Sequence, residues 1–344
     1  MTPIRIAVIG CGFWSRFQIP AWHEIEGVTC VAVCDREKDR SHSIAAQFNI
    51  PLCYQEPVKM LQAIRPDAVD IVTSPETHQE LVNIASDLGI PVICQKPMAT
   101  EMASAEAMVR LCGERKVPFF VHENWRWQKP LRKLRSVLDS GVIGQPFRAR
   151  IDFNCNFPVF DNQPSLRSTP ELILADLGVH LLDATRFLFG EAVSLSCLTQ
   201  QITPNIAGED VATVLLAMAN GMTVCCNLSF ATKLEFDTFP ETSVLVEGTH
   251  GSAQLTSDYW IKTTDGKEAR AQRFPPIAYP WADANYAIVH DSIVECHRNL
   301  AAALRGMAEA ETSGADNLKT LKLVFASYES ARSKRTIQLG SSIA

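Results

Sequence analysis

Residues 4–9, Ile-Arg-Ile-Ala-Val-Ile, form a β-branched run that stops on Gly10-Cys11-Gly12-Phe13-Trp14-Ser15, and a helical pattern follows to about Glu26. A strand that turns on glycine directly into a helix belongs in a βαβ unit. Gly10 permits the tight turn. Gly12 lets the backbone approach a pyrophosphate, which the positive end of the helix attracts. Phe13 and Trp14 complete the candidate cofactor-binding turn, and Ser15 replaces the third glycine, which sets helix and strand slightly further apart. The next strand, Cys30–Cys34, ends at Asp35, 23 residues beyond Gly12. That is near the spacing expected of a carboxylate that accepts hydrogen bonds from an adenosine ribose. Its charge repels a 2′-phosphate and favours NAD, whereas Arg36 offers that phosphate a guanidinium and leaves NADP open. Asp35 also reads as an ordinary N-cap for a helix over 36–48.

The alternation continues with strands at Val69–Thr73, Pro91–Cys94 and Pro118–His122, and helices at Thr77–Leu88 and Ser104–Lys116. Strands alternating with helices of this length predict a Rossmann-type, doubly wound parallel sheet. Ligands bind beyond the carboxyl ends of such strands. Thr73-Ser74-Pro75, Gln95-Lys96-Pro97 and His122-Glu123-Asn124 occupy those ends, so Thr73, Ser74, Pro75, Gln95, Lys96 and Asn124 join the candidate cofactor-binding residues. His78 reads as a capping or packing residue of its own helix.

After about residue 145 the pattern changes to strands at Phe147–Phe157, Ser194–Ile202, Asp210–Ala219, Thr223–Ala231, Ser243–Glu247, Ser252–Thr256 and Tyr259–Thr263. Asn220-Gly221 is a hairpin signal. One helix, about Ile173–Phe189, interrupts early, and two more, about Tyr286–Thr312 and Asn317–Lys334, come late. The economical architecture is an open, mostly antiparallel sheet covered by helices on one face. The expected division is therefore a dinucleotide-binding domain over 1–122 and an α+β substrate-binding and oligomerisation domain over 123–344. The C-terminal helix is free to pack back on the first domain. Leu215, Val224, Leu228, Val244 and Val246 on adjacent strands predict a homodimer or homotetramer formed sheet to sheet.

At 344 residues the chain is too long for one ordinary core. A net charge of −6 with no basic run argues against nucleic acid. The apolar runs are strand-sized, well short of the ~20 residues of a membrane helix. The start, Met-Thr-Pro-Ile-Arg, leads into a strand without a signal-peptide layout. Eleven cysteines with no Cys-x-x-Cys pair suggest free thiols, no zinc site and a cytoplasmic protein.

The helix over 173–189 carries Asp176, His180 and Asp183 at spacing i, i+4, i+7, which puts all three on one face of a regular α-helix. With Lys96 from a separate segment, they suggest acid/base chemistry in a cleft between domains. His180 would accept a hydroxyl proton, its unperturbed pKa being near neutrality. Lys96 would stabilise the developing alkoxide charge, and Asp176 would bind hydroxyls beside it. Gly178 would lower the bulk of the helix near the ligand. Arg126, Trp127, Phe153 and Asn154 are candidate substrate-binding residues, with the loop over 153–167 setting selectivity. Bland readings stand beside these. Lys96 suits a surface lysine before a strand-ending proline, the acids suit partners of Arg186, and Asp-x3-His also suits a divalent metal.

These residues resemble the glucose–fructose oxidoreductase, inositol dehydrogenase and MocA (Gfo/Idh/MocA) family. The glycine turn, the Lys-Pro at a strand end and the Asp-x-Gly-x-His-x-x-Asp helix carry the resemblance, which covers essentially the whole chain. His122–Trp127, Phe239–Thr242 and Asp258–Trp260 look like its branch of D-apiose dehydrogenases. The family's Glu-Lys-Pro stands here as Gln95-Lys96-Pro97, which removes a negative neighbour from the lysine. The resemblance implies a metal-free, NAD(P)-dependent oxidation of a sugar or polyol, with an aldose going to its lactone. Lys96 would match the family's catalytic lysine, Asp176 its substrate-orienting acid and His180 its proton-transfer histidine. The rivals are a non-catalytic dinucleotide-binding redox sensor and an NAD-assisted enzyme acting on glycosides.

Overall fold

Continuous apolar runs build the first sheet, because strands covered on both faces need no alternation. The computed structural model describes residues 3–155, 158–234 and 242–340, Asn162 without its side chain. Residues 239–241 of the branch motif, and 156–157 of the expected selectivity loop and of the expected strand over 147–157, lie outside the described residues. The chain forms two units. The first comprises Met1–Asn124 with two later segments, Tyr279–Ala282 and Ser292–Lys319.

In the first unit β1 (Ile4–Ile9), α1 (Ser15–His23), β2 (Val28–Cys34), α2 (Lys38–Phe48), β3 (Leu52–Tyr54), α3 (Pro57–Ile64), β4 (Ala68–Ile71), α4 (His78–Asp87), β5 (Val92–Gln95), α5 (Met102–Arg115) and β6 (Phe119–His122) follow in order. The strands lie in the order β3-β2-β1-β4-β5-β6, all parallel. The order reverses at β1, so right-handed crossovers put α1 and α2 on one face and α3, α4 and α5 on the other. The returning segments are tied in by side chains. Trp281 Nε1 donates to Glu24 Oε1 at 2.5 Å. His297 stacks on Trp22 with ring centroids 3.7 Å apart and planes 9° from parallel.

Beneath this stack lies Asp70 of β4, fully buried, its Oδ2 accepting from Trp22 Nε1 at 2.8 Å while Oδ1 has no hydrogen-bond partner. Burial pushes its carboxyl pKa up to about 7, against the opposing bond from Trp22. The folded chain therefore holds this proton more tightly than the unfolded chain does. The resulting stability is full below about pH 4 and is lost as pH rises through about 7. His297 acts in the opposite sense, because burial pushes its pKa well down. The comparison of Asp70→Asn with wild type isolates the acid, since the amide does not titrate and still accepts from Trp22. The variant is expected to unfold like wild type near pH 4 and to gain a widening margin, a few kcal/mol, up to pH 8. Chemical denaturation at each pH checks this, and a margin that stays constant would refute it.

The second unit comprises Trp125–Ala278, Asp283–Asp291 and Thr320–Ala344. It contains α6 (Lys129–Asp139), β7 (Pro146–Asn154), the single turn α7 (Val159–Asn162), α8 (Val179–Phe189), β8 (Ala192–Gln200), β9 (Val211–Met218), β10 (Thr223–Ser229), β11 (Thr242–Gly248), β12 (Gly251–Thr256), β13 (Trp260–Thr264), β14 (Ala269–Arg273) and β15 (Ile337–Gln338). Two helices, α9 (Ala287–Leu304) and α10 (Gly314–Ser333), are divided between the units. The nine-stranded sheet runs β14-β13-β12-β11-β7-β10-β9-β8-β15. Every neighbouring pair is antiparallel except β7·β10. Its core packs Ile151, Phe153, Val214 and Leu216 of the sheet against Leu181, Leu182 and Leu188 of α8.

The alternation of these strands corrects the expected sheet-to-sheet patch. Val224 pairs with Leu216, Leu228 with Ala212, Val244 with Ile151 and Val246 with Ala149, so all four share the covered face and are buried. Of the five expected residues only Leu215, 48% exposed, lies on the open face. That face carries polar ladders instead. Thr213 donates to Asn227, Asn227 and Arg150 donate to Asp152, and Arg148 pairs with Glu247.

No helix among the described residues is long and apolar enough to cross a membrane. All eleven cysteines are free thiols, and nine are buried. Burial pushes Cys11 and Cys34 up to about 12, so neither supplies thiolate at neutral pH.

Candidate active site

The glycine turn is shaped by what surrounds each glycine. Gly10 has φ +101°, and a Cβ there would sit 2.5 Å from the Val72 carbonyl oxygen, so no other residue fits between β1 and the end of β4. A Cβ on Gly12 would meet nothing within 4 Å. Open space therefore lies beside the backbone just before α1, where the Phe13 and Trp14 carbonyls take the N–H groups of Arg16, Phe17 and Gln18 and the Gly12 side stays clear. This concavity is what a pyrophosphate requires, and the turn fits NAD. Ser15 is fully buried and donates to the Gly12 carbonyl at 2.7 Å, so the third-glycine position is occupied by a satisfied hydroxyl. Phe13, 38% exposed, packs against Trp14 and Phe17 at ring distances of 5.3 and 5.1 Å.

Asp35 does two jobs at the end of β2. Its Oδ2 accepts from the Cys11 N–H of the glycine turn at 2.8 Å, and its Oδ1 accepts from the Glu37 N–H before α2 at 2.9 Å. The helix begins at Lys38 with Glu37 as its N-cap and no side-chain cap, so Asp35 ties the glycine turn to the residue before α2 and is not the N-cap expected of it. Each oxygen keeps lone-pair capacity for a ribose hydroxyl. Arg36 points into solvent with its side chain 89% exposed, 3.9 Å from Glu37.

The other strand ends of this unit are held from within. Thr73 Oγ1 accepts from Thr77 Oγ1 at 2.7 Å, and Ser74 and Pro75 lead into a short 3₁₀ turn, Pro75–Thr77. Gln95 is buried, and its Oε1 accepts from the backbone N–H of Lys96 at 2.9 Å. The amide that replaces the expected glutamate therefore fixes the lysine's backbone. Lys96 is half-buried, and the Lys96–Pro97 peptide is cis. Asn124 is buried and donates through Nδ2 to Ser292 Oγ at 2.7 Å, which places it in the interior of the unit.

In the second unit the expected helix over 173–189 has two parts. Leu174–Gly178 form a π-helical turn and Val179–Phe189 continue as α8. A π turn changes the angular step, so the single face expected for Asp176, His180 and Asp183 does not follow from their spacing. Such turns recur at functional sites. Asp176 lies in the π turn and is half-exposed. His180 is buried, its ring stacked on Trp125 with centroids 4.5 Å apart and planes 19° from parallel. Trp125 Nε1 donates to Thr242 Oγ1 at 3.2 Å, so the indole that orients the imidazole is itself held by β11. Gly178 lies over Leu174, whose Cδ2 is 3.2 Å from where a Cβ would lie, so the turn itself also favours a small residue there.

Sequence reasoning overlooks Trp125 as well as two residues that anchor the π turn. Glu209 accepts from the N–H groups of Leu172 and Leu174, each at 3.2 Å. Tyr328 donates to Glu209 at 2.9 Å and accepts from the Ala175 N–H at 3.1 Å. A single glutamate before a strand carries no sequence signal of this kind, whereas Trp125 sits within a conspicuous aromatic block.

Among the candidate substrate residues, three are interior. Arg126 is 6% exposed and closes both arms of its fork on Asp183, Nε to Oδ2 at 2.7 Å and Nη2 to Oδ1 at 2.6 Å. Trp127 is buried under the Arg132 guanidinium, 4.5 Å from the ring centroid. Phe153 is fully buried in the sheet core, 6.0 Å from Trp125. Asn154 is half-buried and accepts from Thr232 at 3.4 Å. Among the described residues no three His, Cys, Asp or Glu side chains group as metal ligands would.

Residues 4–123 match the oxidoreductase family with an NAD-binding Rossmann fold, and residues 131–254 match the GFO/IDH/MocA C-terminal domain. The chain is 42% identical to a D-apiose dehydrogenase of Paraburkholderia graminis, over 97% of this chain and 89% of that protein. It is 39% identical to a D-apiose dehydrogenase of Rhizobium rhizogenes, over 99% of each. Its structure superposes with a TM-score of 0.97, at 39% identity and 99% coverage of both chains, on an oxidoreductase from Agrobacterium radiobacter in complex with NAD+, L-tartaric acid and magnesium. With a fitting glycine turn and these matches along its whole length, the chain belongs to the GFO/IDH/MocA family and is an NAD-dependent oxidoreductase.

Proposed function

We propose that this oxidoreductase oxidises D-apiose, or a pentose with the same reacting end, at the anomeric carbon to give a lactone. The observation that carries the reading is the likeness to two proteins named D-apiose dehydrogenase over nearly the full chain, including the unit that holds Asp176 and His180. Gly10, Gly12 and the amino end of α1, with Phe13 and Trp14 beside them, hold the pyrophosphate. Asp35 holds the adenosine ribose. Its negative charge favours NAD over NADP. When bound, NAD supplies a two-electron acceptor for the C–H bond that breaks.

The chain's own residues manage the proton and the developing charge. His180 takes the hydroxyl proton while the C–H electron pair leaves, and the carbinol carbon becomes a carbonyl. Lys96 is the donor expected to stabilise the partial negative charge that develops in the reaction. Asp176 accepts hydrogen bonds from neighbouring sugar hydroxyls and favours the imidazolium once it forms. Trp125 keeps the imidazole in one orientation.

The test is the appearance of reduced-nicotinamide absorbance with D-apiose, other pentoses, hexoses and polyols, each with NAD and with NADP. Fastest turnover is expected with D-apiose and NAD. Turnover of another sugar class in its place would refute the substrate. NAD binding with no turnover of any sugar or polyol would support a redox sensor.

A further inference from the structure

We propose that His78 is a positioning residue that fixes the Lys96 turn from behind, through its Nδ1 contact with the Met98 backbone. The proposal rests on the catalytic reading of Lys96 given above. His78 opens α4, and its side chain is fully buried. Its Nε2 lies 3.1 Å from the carbonyl oxygen of Thr73, and its Nδ1 lies 3.3 Å from the carbonyl oxygen of Met98. These carbonyls belong to two different loops, one following β4 and the other following β5. The imidazole therefore bridges two strand-end loops that are 25 residues apart in the chain.

A histidine present only to fill space needs one acceptor for its single N–H, whereas this ring faces an acceptor on each side. A neutral ring donates to only one of them, burial pushing its pKa down against the second proton, and we assign the N–H to Nδ1, facing Met98. The contact that bears on chemistry is the one to Met98, two residues beyond Lys96. Met98 is fully buried, so its carbonyl is a fixed point. On the other side of the lysine, Gln95 Oε1 accepts from the Lys96 N–H at 2.9 Å. The lysine's backbone is thus held before and after the residue, which is how an ammonium on a flexible four-carbon stem is aimed.

The two contacts are separable by substitution. The amide nitrogen of asparagine reaches the place of Nδ1, and that of glutamine reaches the place of Nε2. His78→Asn, His78→Gln and His78→Leu are compared with wild type and Lys96→Met in turnover of the sugar that wild type oxidises. NAD dissociation constants and thermal unfolding are measured alongside. Glutamine and leucine are expected to lower kcat by about 10- to 100-fold, the scale of a small misplacement of a catalytic group, with KM and NAD affinity little changed. Asparagine is expected to restore kcat to within about threefold of wild type, since it keeps the Met98 contact. Equal loss in the asparagine and glutamine variants, a loss of NAD affinity at unchanged kcat, or no change in any variant would each overturn the proposal. Should leucine prevent folding, the contrast between asparagine and glutamine still decides. Full turnover by Lys96→Met would defeat the lysine reading itself. An inactive Lys96→Met beside fully active His78 variants would defeat the positioning role alone.

Discussion

Replacing Lys96 with methionine is expected to lower kcat by about 10²–10³-fold, the usual loss when one preorganised donor to a developing oxyanion is removed. Methionine keeps an unbranched apolar stem and deletes the ammonium, so the change is one of charge and donation. Both polar anchors of the segment, Gln95 Oε1 on the Lys96 N–H and His78 on Met98, involve atoms that the substitution keeps. NAD affinity is measured alongside, because Lys96 is also among the candidate cofactor-binding residues and a loss of binding must be separated from a loss of kcat. His180→Asn should cost about 10²–10⁴-fold, because general-base assistance is lost. If both groups act on one oxygen, the double variant should be far better than the product of the two losses predicts. Stopped-flow measurement of reduced nicotinamide, with NAD binding by calorimetry, gives every term. A Lys96→Met enzyme with kcat above about a tenth of wild type would remove the ammonium from the reaction.

Much of the first unit is legible in its sequence because parallel strands buried on both faces appear as unbroken apolar runs, each bounded by polar or turn-forming residues. The strand β3 is not legible. It has three residues, and Leu52 at its start is 41% exposed, so it lacks an apolar signature. The strands of the second unit show in their alternation, but alternation does not say which face is covered. Val224 and Leu215 look alike in sequence, and only pairing across β9 and β10 puts one inside and one outside. The parallel pairing of β7 with β10 joins residues 75 apart in the chain and is a tertiary fact. The same holds for Ser292–Lys319, which joins the first unit through contacts such as His297 on Trp22.

Side-chain roles followed the same divide. The turn glycines are readable because backbone geometry at a strand end limits what can stand there, whereas the bond from the Lys96 N–H to Gln95 Oε1 has no signature in the sequence. The orientation of Asp176 is not readable either, since a π turn and an α turn share the same spacing of polar residues. Gly178 shows the consequence. Its smallness suggests room for a ligand, but the π turn itself also favours a small residue over Leu174. Arg126 reads in the sequence as a candidate substrate-binding residue, and nothing local reveals that Asp183, 57 residues on, closes on its guanidinium.

That pairing gives a second large effect. Arg126→Leu is expected to destabilise the protein by about 3–5 kcal/mol, the cost of leaving a buried charge without its partner. Asp183 is fully buried and receives two bonds from Arg126 and one from Thr320 Oγ1 at 3.0 Å. Arg186 Nη1 lies 3.9 Å away but is already engaged, with Glu191 and Thr320 as partners. It softens the loss of Arg126 without replacing a bidentate fork. Asp183→Leu should cost as much or more, because both guanidinium groups then lose this carboxylate. The double variant should recover much of the loss, since two well-packed apolar residues carry no desolvation penalty. Urea denaturation of the three variants gives the coupling energy. A structural pair moves stability and leaves the sugar KM unchanged at temperatures where the variants are folded. An Arg126→Leu enzyme that unfolds like wild type and binds its sugar weakly would return this arginine to the substrate.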